Sequence, residues 1–345
     1  MGANQHFLPQ FLIRKFSEQH DGNSVRIFIL SAARIQPGSP IKGQAYKKWY
    51  YGHDGVLEDR LSKLEYLCAN LISEISITKT LPKFPGPGYD LLRTFILLQA
   101  NRTPQAAERA ESAFEEMMLT AVSLDPNAPD LSDVRIRLTD PGRFMLSIGQ
   151  GMLSTVEDLR FALIQTVPEC PFILGDVGLS RDNLVVRKYA LPHSRYGIGN
   201  IGILLFLPIS PTLCLMLYDP GAYALSNPNR VVTATNYDVA AINELEVSDS
   251  KHVVFLPSDF SSEQILPIIR KTANFRKHPK HTFSVLRPSR TNSDQNSLLA
   301  HTHHLVYDPD DHYSFLYLKE RTEQLRNHKS MSIRRPSIRI SENHG

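Results

Sequence analysis

The chain has 345 residues, of which 42% are hydrophobic and 21% charged, with a net charge of +3; this composition is typical of a soluble globular protein. An apolar run long enough to cross a bilayer, a signal-peptide pattern and closely spaced cysteines are all missing from it, which argues against an integral membrane protein and a disulfide scaffold, so we expect a cytoplasmic protein. The charge is uneven, because residues 270–345 hold 14 Lys and Arg against 7 Asp and Glu, and the rest of the chain therefore carries −4.

The first predicted element is a short amphipathic helix that starts at Pro9, since proline suits the first helical turn. Its apolar face, at three- and four-residue steps, comprises Leu8, Phe11, Leu12 and Phe16. His6 precedes this helix, where the positive end of the helix dipole favours a neutral imidazole that can bind a metal or act as a base. The alternative is that His6 caps the helix or bonds to a backbone carbonyl. A strand follows at residues 25–30.

Helical patterning dominates residues 56–165. Helices are predicted over residues 56–78, 89–101 and 144–164, with another that begins at Thr103-Pro104. In the first of them, Glu58 and Glu65 are two turns apart and share one face. An ordinary solvated helix face is the alternative for these two carboxylates.

Residues 170–256 are rich in predicted strands. Strands are expected at residues 172–174, 184–189, 203–207, 213–218 and 253–255, and helices at residues 236–246 and 262–274. Because helices precede strands, the pattern favours an α+β fold, with a helical middle region packed on an antiparallel or mixed sheet. We predict one domain over residues 1–276 and a basic, His-rich, partly disordered tail over residues 277–345.

Several short motifs follow one another along the chain. They are His6-x-x-Pro9-Gln10-Phe11-x-x-x-x-Phe16, Glu58 and Glu65, Gln99-x-x-Arg102-Thr103-Pro104, Phe172-Ile173-x-x-Asp176, Phe206-Leu207-Pro208-Ile209-Ser210-Pro211, and the helix–strand unit of residues 236–255. In this order they resemble the bacterial domain-of-unknown-function family 4238, over roughly residues 4–275. The resemblance implies membership of a family without an assigned substrate.

Four side chains have the chemistry of a divalent-metal site. The imidazole of His6 and the carboxylates of Glu58, Glu65 and Asp176 suit Mg²⁺ or Mn²⁺, with His6, Glu58 and Glu65 as the ligands. A metal held there would activate water against a phosphodiester. We therefore predict a metal-dependent nuclease or toxin-like effector, and a role in defence against phage is a wider hypothesis that no residue carries. The alternative for Asp176 is a structural role, because the side chain of an Asp in a turn often accepts hydrogen bonds from local N–H groups.

Arg102 is the predicted binder of the substrate phosphate, with Gln99 and Arg93 beside it on the preceding helix. An arginine just before a helix start combines its charge with free backbone N–H groups, which makes an anion site. A salt bridge to a helix carboxylate is the alternative for Arg102.

Two other functions stay open. One is a non-catalytic module that binds nucleic acid or another anionic ligand through Arg102 and the basic tail. The other is a structural or interaction protein, whose matched residues are packing and capping positions. We expect a nucleic acid as a partner through the tail and no membrane partner; the oligomeric state is left open.

Overall fold

Helices dominate the middle of the chain in the computed structural model. The structure describes residues 4–18, 22–123, 133–135, 137–189, 197–277, 281–286, 299–304, 307–310 and 312–319. The helices are α1 (Gln10–Arg14), α2 (Val56–Thr78), α3 (Pro87–Asn101), α4 (Pro104–Ser123), α5 (Pro141–Gly151), α6 (Leu184–Tyr189), α7 (Asn236–Asp249) and α8 (Ser262–Lys277). Across these ranges, none has both the length and the apolar character that a membrane crossing requires.

The strands lie mainly before and after this helical region. They are β1 (Asn4–His6), β2 (Ser24–Ile29), β3 (Arg34–Pro40), β4 (Tyr46–Lys48), β5 (Arg160–Gln165), β6 (Leu174–Gly175), β7 (Ser180–Asp182), β8 (Leu204–Ser210), β9 (Leu213–Tyr218), β10 (Tyr223–Leu225), β11 (Val231–Thr233), β12 (Val253–Leu256), β13 (His281–Leu286), β14 (Leu299–His304) and β15 (Leu316–Leu318). Three antiparallel pairs stand apart from the larger sheets: β1 with β4, β10 with β15, and β13 with β14.

A five-stranded sheet in the order β11-β5-β9-β8-β7 lies between two apolar cores. β11 and β5 run parallel, and the other neighbours run antiparallel. Successive side chains of a strand point to opposite faces. In β9, Leu215 and Leu217 therefore pack with α2 and α3, while Cys214 and Met216 pack with α7. Burial on both faces explains why these strands are almost continuously apolar.

A second sheet, in the order β3-β2-β12-β6, shares the first of these cores. Ile27 and Phe255 point into the core that also holds α2 and α3, while Phe28 and Val254 pack against α8 on the other face. Helices are grouped in the middle of the chain rather than alternating with parallel strands. The α+β class and the mixed sheet are thus confirmed.

Residues 312–319 lie in the fold, although the sequence assigns them to the tail. Tyr313, Phe315 and Leu316 are buried against the α7 side of the five-stranded sheet. The backbone N–H of Ser314 donates to the Asp238 carboxylate at 2.6 Å. A domain that ends at residue 276 therefore leaves out a segment of the core. Residues 321–345 of the predicted tail lie outside the described residues.

The predicted helix over residues 144–164 is wrong in its second half. α5 ends at Gly151, and β5 begins at Arg160. Residues 161–164 are all buried, because β5 lies inside the sheet with an apolar core on each face. A continuous apolar run does not distinguish a doubly covered strand from a buried helix.

The predicted strand over residues 184–189 is also wrong, because these residues form α6. The Asn183 Oδ1 accepts the backbone N–H groups of Val185 and Val186 at 3.1 and 3.2 Å. A side-chain acceptor in this position satisfies the free donors of a helix start. Local capping thus outweighs the strand propensity of the two valines.

Candidate functional site

Arg102, the residue after α3, lies at the centre of a group that we call the Arg102 cluster: His6, Tyr51, Glu58, Glu65 and Arg102. Its Nη2 lies 2.7 Å from Glu65 Oε1 and donates to the backbone carbonyl of His6 at 2.6 Å. Its Nε donates to the Tyr51 hydroxyl at 3.1 Å. Arg102 is 1% exposed, so these contacts satisfy a buried charge, as burial requires.

Short-range structure brings the remote segments of the cluster together. β1 pairs with β4, which places the His6 backbone opposite Tyr46. The Gln5 side chain then fixes the segment after β4, because it accepts the N–H of Tyr51 at 2.5 Å and donates to the carbonyl of Gly52 at 3.0 Å. The Tyr51 hydroxyl in turn donates to the His6 carbonyl at 3.1 Å. The N-terminal strand is thus tied to the end of α3 through polar contacts inside the core.

Burial favours the neutral form of the His6 ring, and the ring already has hydrogen-bond partners. The Gln10 side-chain nitrogen lies 3.0 Å from Nε2, and the ring also bonds to the backbone carbonyl of Lys42. Burial lowers the pKa of the imidazole, although the Lys42 bond and the charge of Glu65 both raise it. The sequence prediction of a neutral ring rests on the dipole of α1. The dominant cause in the structure is instead the loss of hydration at the end of β1.

Glu58 and Glu65 lie on one face of α2, as their spacing predicts. Both are partly buried. Burial raises the pKa of the Glu58 carboxyl, the charge of Glu65 raises it further, and Arg102 opposes both effects. Glu65 keeps its carboxylate on the Arg102 guanidinium. The two groups therefore differ: Glu58 holds its proton more tightly, which suits a proton donor, while Glu65 forms an ion pair.

The donor set of the cluster does not fit a metal ion as it stands. Within the described ranges, no group of three or more His, Cys, Asp and Glu side chains is placed to hold one. The Glu65 carboxylate is already neutralised by Arg102, and the His6 ring has two partners. The prediction of Mg²⁺ or Mn²⁺ on His6, Glu58 and Glu65 stays a prediction, and no step below depends on it.

The three residues predicted to bind substrate make internal contacts. Arg102 forms the salt bridge that was its alternative interpretation. Gln99 is fully buried, and its amide donates to two backbone carbonyls, at 2.9 and 3.2 Å. Arg93 pairs with Asp90 at 2.7 Å near the start of α3 and donates to a carbonyl after α5. Whether an arginine faces solvent or core depends on packing, which the local pattern does not contain.

Asp176 holds the start of β12. Its carboxylate accepts the backbone N–H groups of Lys251, His252 and Val253 at 3.0, 2.7 and 3.2 Å, and the Gln105 amide at 3.3 Å. Burial raises the pKa of this carboxyl, although the three N–H groups lower it. These contacts match the turn role that was the alternative for Asp176, and they leave its predicted catalytic role without support.

A second set of charged residues, one buried carboxyl and two partly exposed arginines, was not found from the sequence. Glu246 of α7 is 2% exposed and accepts the N–H of Gly175 at 2.8 Å, and burial raises the pKa of its carboxyl to about 8. Arg109 of α4 and Arg181 of β7 lie close enough to repel each other, and we call them the arginine pair. No motif marks these residues; a charge in the middle of a three-residue strand is the signal that could have pointed to Arg181.

Comparison with known proteins identifies a family and no closer relative. A family model described as "Protein of unknown function (DUF4238)" matches residues 4–259, which is most of the chain. No curated protein and no solved structure matches.

Proposed function

The chain belongs to the DUF4238 family, as its motifs predict, and we propose that it hydrolyses phosphodiester bonds in nucleic acid at the Arg102 cluster. One observation carries the proposal. The His6 ring, whose pKa is lowered by burial, and the Glu58 carboxyl, whose pKa is raised by burial, lie around the guanidinium that Glu65 pairs with. These shifts favour a neutral imidazole next to a protonated carboxyl, which is the combination that general acid–base catalysis requires.

The proposed reaction is attack by water on phosphorus. The neutral His6 ring takes the proton from water as the new P–O bond forms. Glu58 gives its proton to the leaving oxygen as the other P–O bond breaks. Glu65 and Arg102 position these groups, because their ion pair joins α2 to the strand that carries His6.

The experiment is cleavage of labelled single-stranded and double-stranded RNA and DNA by the full chain, in Mn²⁺, Mg²⁺ or EDTA. In Glu58→Gln, cleavage is expected to fall about 100-fold or more, because the proton donor is lost. Glu74→Gln is the matched control, since Glu74 is an exposed carboxylate on the same helix. Cleavage lost in EDTA would support the predicted metal. Absence of cleavage in every condition would contradict the proposal.

A second function, binding without cleavage, is favoured by the two partners of the His6 ring. A ring that is bonded to Gln10 and to Lys42 must exchange one of these partners before it takes a proton from water. Salt-sensitive binding of the same nucleic acids, with no cleavage, would support this module. The tail through which contact was predicted lies largely outside the described residues, so that route stays a prediction.

In a cell, the proposed nuclease would act as a toxin-like effector with a role in defence against phage. Expression in a bacterial host would then arrest growth, and Glu58→Gln would relieve the arrest while Glu74→Gln would not. Equal growth of the three strains at equal protein levels would argue against the effector role.

A further inference from the structure

Trp49 is the one tryptophan of the chain, and it lies on the surface just after β4. Its side chain is 40% exposed. The indole stacks on the ring of His53, with the ring centroids 4.5 Å apart and the planes 29° from parallel. His53 is itself exposed. Because the stack lies at the surface rather than in a core, it presents aromatic area to which another planar ring can bind.

The backbone of Trp49 is strained. Its φ of 54° lies in the left-handed region, which bulky residues rarely adopt. Glycine would adopt this conformation without the steric cost. Strained residues persist where the surrounding contacts fix them, and they are common at ligand sites. The stability of the fold therefore does not account for a tryptophan at this position.

Contacts on the inner side of the loop hold Trp49 in place. The backbone N–H of Gly52 donates to the Trp49 carbonyl at 3.1 Å. The buried Gln5 side chain bonds to the backbone of both Tyr51 and Gly52, and Arg143 donates to the Tyr51 carbonyl at 3.2 Å. The stack is thus carried on a loop that is fixed before a ligand arrives, which lowers the entropic cost of binding.

Strand β4 connects this loop to the Arg102 cluster. His6 of β1 is paired in register with Tyr46, and the two rings lie 5.9 Å apart. Lys48 is two residues further along β4, so it shares a face of the strand with Tyr46. The Cα atom of Trp49 lies at most about 11 Å from that of Tyr46, because three residues span no more. The aromatic stack and the proposed catalytic base are therefore neighbours.

The segment that carries the stack is positively charged. Residues 42–53 contain three lysines and no acidic residue. Lys42 and Lys48 are exposed and form no ion pair with any residue that the structure describes. The next residue, Asp54, is paired with Arg143 at 2.8 Å. Unpaired positive charge beside an aromatic stack complements a ligand that is both anionic and built of planar rings.

Carboxylates that approach this segment from α4 have cations of their own. Burial raises the pKa of the Tyr50 hydroxyl, and the charges of Glu108 and Glu111 add to this shift. Glu108 is paired with Lys251, and Glu111 with Arg137. These two carboxylates therefore do not cancel the charge of the exposed lysines.

We infer that single-stranded nucleic acid binds over the surface around Trp49. This Trp49 surface comprises Lys42, Tyr46, Lys48, Trp49 and His53. A base stacks on the Trp49 indole, and the lysine ammonium groups bind backbone phosphates. A duplex keeps its bases stacked on one another and offers none in this way. The inference rests on the proposed function, for which it names the substrate class, since a strand bound here passes the His6 ring.

The first test uses the fluorescence of Trp49 in the full chain, in EDTA. The signal reports on this surface alone, because the chain has no other tryptophan. Strands of oligo(dT) and oligo(U) of about 16 nucleotides are expected to quench it, and a blunt duplex of equal length several-fold less. The strand that quenches at the lower concentration identifies DNA or RNA as the natural ligand. No quenching by either strand, or equal quenching by the duplex, would overturn the inference.

Variants at Trp49 separate a binding role from a structural one. In Trp49→Gly, the affinity for a labelled strand, measured by fluorescence anisotropy, is expected to fall about 10-fold or more. Trp49→Phe keeps an aromatic ring and should retain most of the affinity. Tyr66→Ala, which removes an exposed ring from α2, is the control and should bind as wild type does.

The thermal unfolding of Trp49→Gly excludes misfolding as the cause. The variant should unfold at about the wild-type Tm, because glycine relieves the left-handed strain. A variant that binds as wild type does, or that unfolds well below it, would contradict the inference.

The salt dependence of binding tests the two lysines. In Lys42→Gln and in Lys48→Gln, the slope of log K against log salt should fall in magnitude by about 0.7, because each loses one phosphate contact to a single strand. Lys63→Gln, at an exposed position of α2, should leave the slope unchanged. Slopes equal to that of wild type in both variants would remove the lysines from the Trp49 surface and contradict the inference.

The two proposals fail separately. Cleavage by a wild-type chain whose Trp49 fluorescence no strand quenches would overturn the inference and leave the proposed function standing. Quenching by a chain that cleaves nothing would support the Trp49 surface and contradict the proposed function.

Discussion

Arg102 and Arg109 are seven residues apart, and the structure treats them in opposite ways. Arg102 donates to Tyr51 and to the His6 carbonyl and pairs with Glu65. Arg109 is partly exposed, and the charges that act on it or beside it are those of Asp249, Glu108 and Arg181. The same side chain therefore serves the fold in the first place and is left available in the second.

The comparison separates a buried charge that has full hydrogen bonding from a partly exposed charge. A buried ion pair with full hydrogen bonding holds its elements in place, and removal of one member is costly. A partly exposed charge keeps part of its hydration, and its removal changes the free energy of unfolding much less. The four predictions below test this contrast, from the largest expected effect to the smallest.

The largest effect is expected for Arg102→Gln. The substitution removes the ion pair to Glu65 and two further hydrogen bonds from a site that is 1% exposed. A loss of about 3 kcal/mol in the free energy of unfolding is expected, since the remaining partners stay buried and unpaired. Urea denaturation measures it, with Arg60→Gln as the exposed control. A loss equal to that of the control would break the contrast.

Glu246→Gln is expected to change how stability depends on pH. The folded-state pKa of Glu246 is raised from its ordinary 4.5 to about 8, so the stability that the neutral carboxyl contributes is full below pH 4.5 and is lost as the pH rises through 8. The glutamine variant lacks this ionisation, and at pH 8 it should exceed wild type by on the order of 2 kcal/mol. Urea midpoints of both proteins from pH 5 to 8.5 check the result; parallel curves would contradict it.

Tyr51→Phe probes one contact of the Arg102 cluster. The hydroxyl accepts from Arg102 and donates to the His6 carbonyl, both at 3.1 Å, and burial raises the pKa of this hydroxyl to about 12. Its loss should lower the free energy of unfolding by about 1–2 kcal/mol, since a buried acceptor and a buried donor lose one partner each. Tyr66→Phe, at an exposed position of α2, is the control in the same urea titration.

Arg181→Gln should have the smallest effect and the opposite sign. Relief of the repulsion from Arg109 is expected to stabilise the fold by less than about 1 kcal/mol. Urea denaturation measures the gain. A clear loss of stability would mean that Arg181 has a structural partner and would remove the difference between the arginine pair and the Arg102 cluster.

Much of the fold could be predicted from local pattern. α2 matches its predicted bounds, and β9 matches its strand, because apolar periodicity and flanking turn residues are properties of neighbouring residues. The pattern failed at β5 and at α6. In β5 an apolar core on each face removes the alternation, and in α6 the Asn183 cap decides the conformation.

The candidate site was predictable only in part. The family motifs singled out His6, Glu58, Glu65 and Arg102, and the structure brings these four together. The sequence predicted that Arg102 binds the substrate phosphate, whereas the structure shows it in a buried ion pair with Glu65. The burial of Arg102 depends on three separate segments, which a local pattern does not contain. Glu246 and the arginine pair carried no motif at all.

The sequence by itself determined the α+β class, most helix bounds and the family, since these depend on composition and on the order of short motifs. Tertiary structure alone decided which charges are satisfied. Arg102 follows α3 and Arg109 lies within α4, and only the packing of α2 and β1 gives Arg102 its acceptors, while Arg109 lies near another cation. The free energy of a charge depends on what lies within a few ångströms of it, and those neighbours come from distant parts of the chain.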